Sequence, residues 1–158
     1  MKLFKLCLIS LLFAAQAAMA DRTVLVWETD KNLEKSYDVV YKALEDNKFF
    51  VVFEPNIQKN LSRFAERWGE KYNRNGLEGI RSMVFCNGWY ANAVSNADPD
   101  MLALCPLHIT LVQKDGVTRI LFARPTVIAG DSKALAVARE IEQEVSKALD
   151  EAVAALKP

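Results

Sequence analysis

The sequence predicts an α+β domain, a curved and mostly antiparallel five-stranded sheet with helices packed on one face. Three observations predict it. Short β-prone runs recur along the chain, amphipathic helical patterns lie near both ends, and Asp115-Gly116 gives a tight-turn signal between two alternating runs. The element order reads β-α-β-α-β-(α)-β-β-α.

The first strand falls at Thr23 to Glu28, an alternating stretch rich in Val and Trp. Leu33, Tyr37, Val40, Tyr41 and Leu44 then recur at helical spacing, with Asp30 or Asn32 as N-cap and Asn47 as a left-handed C-terminal residue. Phe49 to Phe53 is a second strand, stopped by Pro55. Leu61, Phe64, Ala65, Trp68 and Tyr72 predict a second amphipathic helix, capped by Asn60 or started a little earlier and broken by Gly76 and Gly79. Ile80 to Cys86 is a third strand with few polar residues, as a buried strand has. A short helix spans Trp89 to Asn96 and ends at Asp98-Pro99. Leu107, Ile109 and Leu111 alternate with His108, Thr110 and Val112 in the fourth strand, and Val117 to Ala123 forms the fifth. In a last long helix Ala138, Ile141, Val145, Leu149, Ala152 and Leu156 make one stripe. Looser chain is expected in the first residues after the signal, from Asn73 to Gly79, and from Ala129 to Lys133.

Residues 1–20 have the pattern of a secretory signal peptide. Lys2 and Lys5 precede an apolar run from Leu8 to Ala15, and Ala18-Met19-Ala20 offers small residues for cleavage after Ala20. The run is too short for a spanning helix, so no stable membrane insertion is expected once it is removed. Residues 21–158 are one domain's worth of chain, exported to the periplasm or secreted. Acidic and basic residues balance and form no run, which excludes the electrostatic footprint of a nucleic-acid binder. The same evenness leaves no basic amphipathic helix for an anionic membrane.

Cys86 and Cys105 are the thiols that remain after the signal, which contains Cys7. They sit where the third and fourth strands meet the segment joining them. If those strands are antiparallel neighbours, their Cα atoms can approach the roughly 4.4–6.8 Å that a disulfide needs. Closing a loop of this size would stabilise the fold by about 3 kcal/mol. Export favours a structural disulfide. Two separate buried thiols, or a reactive or metal-binding pair, are the alternatives; the Cys-x-x-Cys spacing of a redox helix is absent.

His108, the one histidine, shares a strand face with Thr110 and Val112. With Cys86 and Cys105 it would complete three zinc ligands, if all three converged. As a haem ligand it would need Met83 or Met101 as partner, without a Cys-x-x-Cys-His attachment. The plainer reading is a polar residue on a solvent or dimer face. Asn87, Trp89 and Tyr90 follow the third strand, where Asn87 would bond backbone and Gly88 would supply a positive φ or a close approach. The two aromatics would wall a pocket or an interface, so Asn87, Trp89, Tyr90 and His108 are the candidate ligand-binding residues. Arg119 and Arg124 are candidates for an anion but read as strand-end charges. Glu140 and Glu144 share a face of the last helix that reads as solvated, while Glu142 does not share it. No Ser/His/Asp order, phosphate loop or His-Glu-x-x-His occurs, so nothing predicts an enzyme, a catalytic residue or a cofactor.

From Val84 to Pro125 the chain resembles the bacterial family named domain of unknown function 302. Members carry a Phe-Gly-Asn-Pro-like strand end, a short helix with Asn-Pro, a Leu-Pro-led strand, an Asp-Gly turn and a Tyr-x-x-Pro-like close. Phe85-Cys86-Asn87-Gly88, Asp98-Pro99, Leu104-Cys105-Pro106-Leu107, Asp115-Gly116 and Phe122-Ala123-Arg124-Pro125 hold those places. The helix from Leu33 to Asp46 and Phe49-Phe50-Val51-Val52 fit the family's opening. The chain departs from the pattern at Cys86 (usually Gly), Gly88 (usually Pro) and Cys105. The resemblance implies a fold similar to the TATA-binding-protein-like architecture, without its DNA binding, and implies a homodimer. It brings no activity. The expectation is an exported, non-enzymatic domain that binds a small molecule or a protein partner. The alternative is a periplasmic redox, sulfur, metal or haem protein using Cys86, Cys105 and His108.

Overall fold

A computed structural model describes residues 23–157. Residues 1–20, where a signal peptide is expected, and with them Cys7, lie outside the described residues. Five strands form one open sheet in the order β1-β5-β4-β3-β2, antiparallel at every pairing: β1 (Val24–Thr29), β2 (Phe50–Phe53), β3 (Gly79–Cys86), β4 (Leu107–Lys114) and β5 (Val117–Ala123). The α+β reading therefore holds, with neighbouring strands β3 and β4 as the cysteine argument required. Asp115 and Gly116 both take positive φ between β4 and β5, the geometry of a two-residue hairpin turn.

Two helices cover one face of the sheet. In α1 (Leu33–Asp46) the buried stripe is Leu33, Tyr37, Val40 and Leu44, and Asn32 Oδ1 caps it by accepting from Lys35 N at 2.9 Å. At its end the positive φ falls on Lys48 rather than on Asn47, which stays at −90°. These side chains join one core with Met83 and Phe85 of β3, Ile109 and Leu111 of β4, and Ile120 and Phe122 of β5. Alternation along the strands turns their neighbours to the other face, where Glu28 of β1 pairs with Arg119 of β5 at 3.1 Å.

Between β2 and β3 the structure corrects the predicted helix. Instead of one amphipathic helix there are two short ones, α2 (Ile57–Ser62) and α3 (Ala65–Trp68), followed by a 3₁₀ turn at Gly69–Lys71. Asn56, not Asn60, caps α2 through its side chain. The periodic residues Phe64 and Trp68 face solvent, so no core holds the stripe in a single helix. Next come α4 (Gly88–Ala97) and a 3₁₀ segment, Pro99–Leu104. A short α5 (Pro125–Ala129), which the sequence reading did not include, starts on a proline, where the missing N–H costs nothing, just before the stretch expected to be loose. The last helix, α6 (Leu135–Ala155), lies beside α1 and buries Ala138, Ile141, Val145, Leu149 and Ala152.

Candidate functional site

The end of β3 and the start of β4 bring the two cysteines together. Cys86 Sγ and Cys105 Sγ lie 3.3 Å apart, half-buried, as two thiols in contact rather than a bonded pair. Burial, and then the neighbouring Cys86 thiol, push the Cys105 thiol up to about 11. A reactive thiolate needs the opposite shift. At neutral pH Cys105 is therefore protonated, part of a weakly polar wall.

That wall belongs to a narrow apolar pocket of about 20 Å³, room for little more than one water molecule. Phe49 and Tyr90 line it, their rings stacked parallel at 6.0 Å, with Val94, Leu104, Leu107 and Ile141 completing the sides. Six segments thus contribute: the approach to β2, β3, α4, the 3₁₀ segment, the β4 entry and α6. Burial raises the Tyr90 phenol, with Glu144 and Glu140 of α6 adding to the effect, so Tyr90 stays neutral.

Asn87 fastens the mouth. Its Oδ1 accepts from Trp89 N at 2.9 Å and Tyr90 N at 3.2 Å, capping α4, while its Nδ2 donates to Lys48 O at 3.1 Å just before β2. One side chain ties three segments of the pocket together. Gly88 does not play the expected part: its φ is not positive, and an added Cβ would meet nothing within 4 Å. Trp89 stands 73 % exposed at the same junction and is not among the lining residues.

His108 is not part of this group. It is exposed on β4, opposite Val84 on the face away from α1 and α6. Among the described residues no three His, Cys, Asp or Glu side chains gather as a metal set, so Cys86, Cys105 and His108 do not assemble one. Met83 is fully buried, which removes it as a partner for His108 on a haem, and Met101 is half-buried against the core.

The candidate anion-binding arginines are engaged elsewhere. Arg119 pairs with Glu28, and Arg124 reaches Glu142 through Nε and Nη2, both at 2.9 Å. Glu142 is thus no solvated charge: it also accepts from Thr126 N and Oγ1 and holds the start of α5 to α6. Sequence reasoning missed it, and missed Phe49, Leu107 and Ile141 as pocket residues. Ile141 carried one usable signal, its place in the buried stripe of the last helix.

Residues 25–152 match the family model of DUF302, a domain of unknown function. The crystal structure of an uncharacterized conserved DUF302 protein from Bacillus stearothermophilus superposes with a TM-score of 0.69 at 19 % identity. The alignment covers 82 % of this chain and 98 % of that one, which establishes a shared fold. No curated protein matches the chain. No described helix is long and apolar enough to cross a membrane.

Proposed function

The chain belongs to the DUF302 family, and from that premise we propose that it is an exported, homodimeric binding domain that takes a small apolar group into the Cys86–Cys105 pocket. One observation carries the reading. Four of the side chains that the sequence singles out, Cys86, Cys105, Asn87 and Tyr90, meet at a single apolar pocket. So narrow a pocket, apolar with Asn87 at its mouth, suits only the tip of a slender apolar group, the rest of the ligand and its polar end left outside at Asn87. Export is supported by the signal pattern of residues 1–20, with cleavage after Ala20 and a periplasmic or secreted destination.

In that compartment the two thiols close into a disulfide. The sulfurs join, two protons are released, and two electrons pass to an external disulfide. The raised Cys105 thiol favours a staple that shapes the pocket over a catalytic thiolate. Small aliphatic and aromatic fragments titrated into isotope-labelled mature protein provide the test. Chemical-shift changes confined to Tyr90, Val94, Leu107 and Ile141, and abolished by Val94→Trp, are expected. Shifts scattered over the surface, or none at millimolar fragment, would end the ligand reading. Mass spectrometry in alkylating buffer checks the bond: two modified cysteines in the oxidised protein would exclude it.

A further inference from the structure

From Phe50 to Glu78 not one residue is buried, although the segment holds five large apolar side chains with substantial exposure: Phe50, Val52, Phe53, Phe64 and Trp68. Its outer part, α3 with its flanking residues, is a preformed aromatic ladder. The Phe64 and Trp68 rings stack at 5.0 Å, and Tyr72 follows Trp68 at 6.5 Å, with its hydroxyl accepting from Gln58 Nε2 at 3.3 Å. Arg63, Arg67, Lys71 and Arg74 are interleaved with these rings, and among the described residues none of the four is in an ion pair. An arm with stacked rings and unpaired cations is arranged like the contact surface of an interface, where rigid aromatics and Arg dominate binding.

A complementary surface lies elsewhere on the same chain. Between α1 and α6 runs a groove of about 860 Å³ counted to its open side, floored by Val39, Ala43, Ala152 and Ala155. Asp38, Asp46 and Glu151 rim it, and the one lining cation, Lys42, is bound to Asp46 at 2.6 Å. The arm is apolar with a border of net positive charge, Arg63, Arg67, Lys71 and Arg74 outnumbering Glu66 and Glu70, and the groove is apolar with a border of net negative charge. Resting on the homodimer reading above, we propose that two copies of this chain pair by reciprocal exchange, the Phe64–Trp68 arm of each seated in the α1–α6 groove of the other. Reciprocity closes the assembly at two copies, whereas insertion in one direction alone would leave a free arm and a free groove and build open chains.

Sedimentation equilibrium of the mature protein gives the test. Wild type is expected to be dimeric, and Trp68→Ala to weaken the dimer roughly 30-fold or more, as loss of an interface anchor does. The arm variant Arg67→Glu/Lys71→Glu and the groove variant Asp38→Lys/Glu151→Lys are each expected to be monomeric alone. Mixed one to one they re-form a dimer, because both arm–groove contacts regain opposite charge. Circular dichroism confirms the fold of each variant. A dimer insensitive to all three variants would overturn the exchange and leave the homodimer standing on another face. A monomeric wild type would remove both. Trp68-dependent binding to phosphatidylglycerol vesicles by a monomer would assign the arm to a membrane and equally overturn the exchange.

Discussion

The layered body and the Phe50–Glu78 excursion have similar aromatic character and opposite fates. In the body, Tyr37, Phe49, Phe85 and Phe122 are almost wholly removed from water, because α1 and α6 supply a second layer over the sheet. In the excursion, Phe53 and Trp68 remain in solvent, because α2 and α3 are too short to form a second layer over them. Hydrophobic content alone does not make a core; two apposed apolar faces do. The pocket lies at the seam of the two regions, where β2 leaves the body and Asn87 ties the strand's approach back to α4.

The sharpest way to break this comparison is to remove a ring from each side. Phe85→Ala, at full burial and edge-on to Phe49 at 5.9 Å, is expected to lower unfolding free energy by about 3–5 kcal/mol in urea melts. Phe64→Ala in the excursion is expected to change the stability of the monomer by less than about 0.5 kcal/mol. Equal losses would mean that the excursion is part of the core.

Next in size is the seam. Cys105→Ser is expected to lose about 3 kcal/mol relative to the oxidised protein, a difference that largely vanishes in reductant. Reduced wild type adds a pH signature. The Cys105 thiol titrates at about 11 in the fold against an ordinary 9.0, so its contribution is complete below pH 9. It is lost as pH rises through 11. Thermal melts of reduced wild type and Cys105→Ser across that window check the sign: the raised Tyr37 and Tyr90 phenols lower both alike, and wild type should fall more steeply. Smallest is Asn87→Ala, expected to cost about 1 kcal/mol as a lost N-cap. It should also broaden the amide resonances of Lys48 and Phe50, which a cap acting on α4 alone would leave unchanged.

Much of the body was legible because its signals are local. Asp115-Gly116 dictates its hairpin, Leu33 to Leu44 shows its stripe, and the strand ends bracket Cys86 and Cys105. The second helix misled because periodicity implies burial only when a partner face exists, and Phe64 and Trp68 have none among the described residues. Glu142 was missed for the converse reason. Its i±2 neighbours, Glu140 and Glu144, are solvated, while Arg124 and Thr126 reach it from a turn that sequence spacing does not locate. Half the pocket was hidden likewise, since Leu107 and Ile141 meet only through the packing of α6 on the sheet.

The three tryptophans fall one to each part of this arrangement. Trp27 donates from Nε1 to Asp150 Oδ1 at 2.7 Å, joining β1 to α6 in the body; Trp89 stands at the seam, and Trp68 is in the arm. Each indole thus reports on a separate event: closure of the helix layer, occupancy beside Asn87, and engagement of the excursion. Versions retaining a single indole would convert the molecule into three independent fluorimeters, able to time unfolding, ligand capture and self-association in one optical channel.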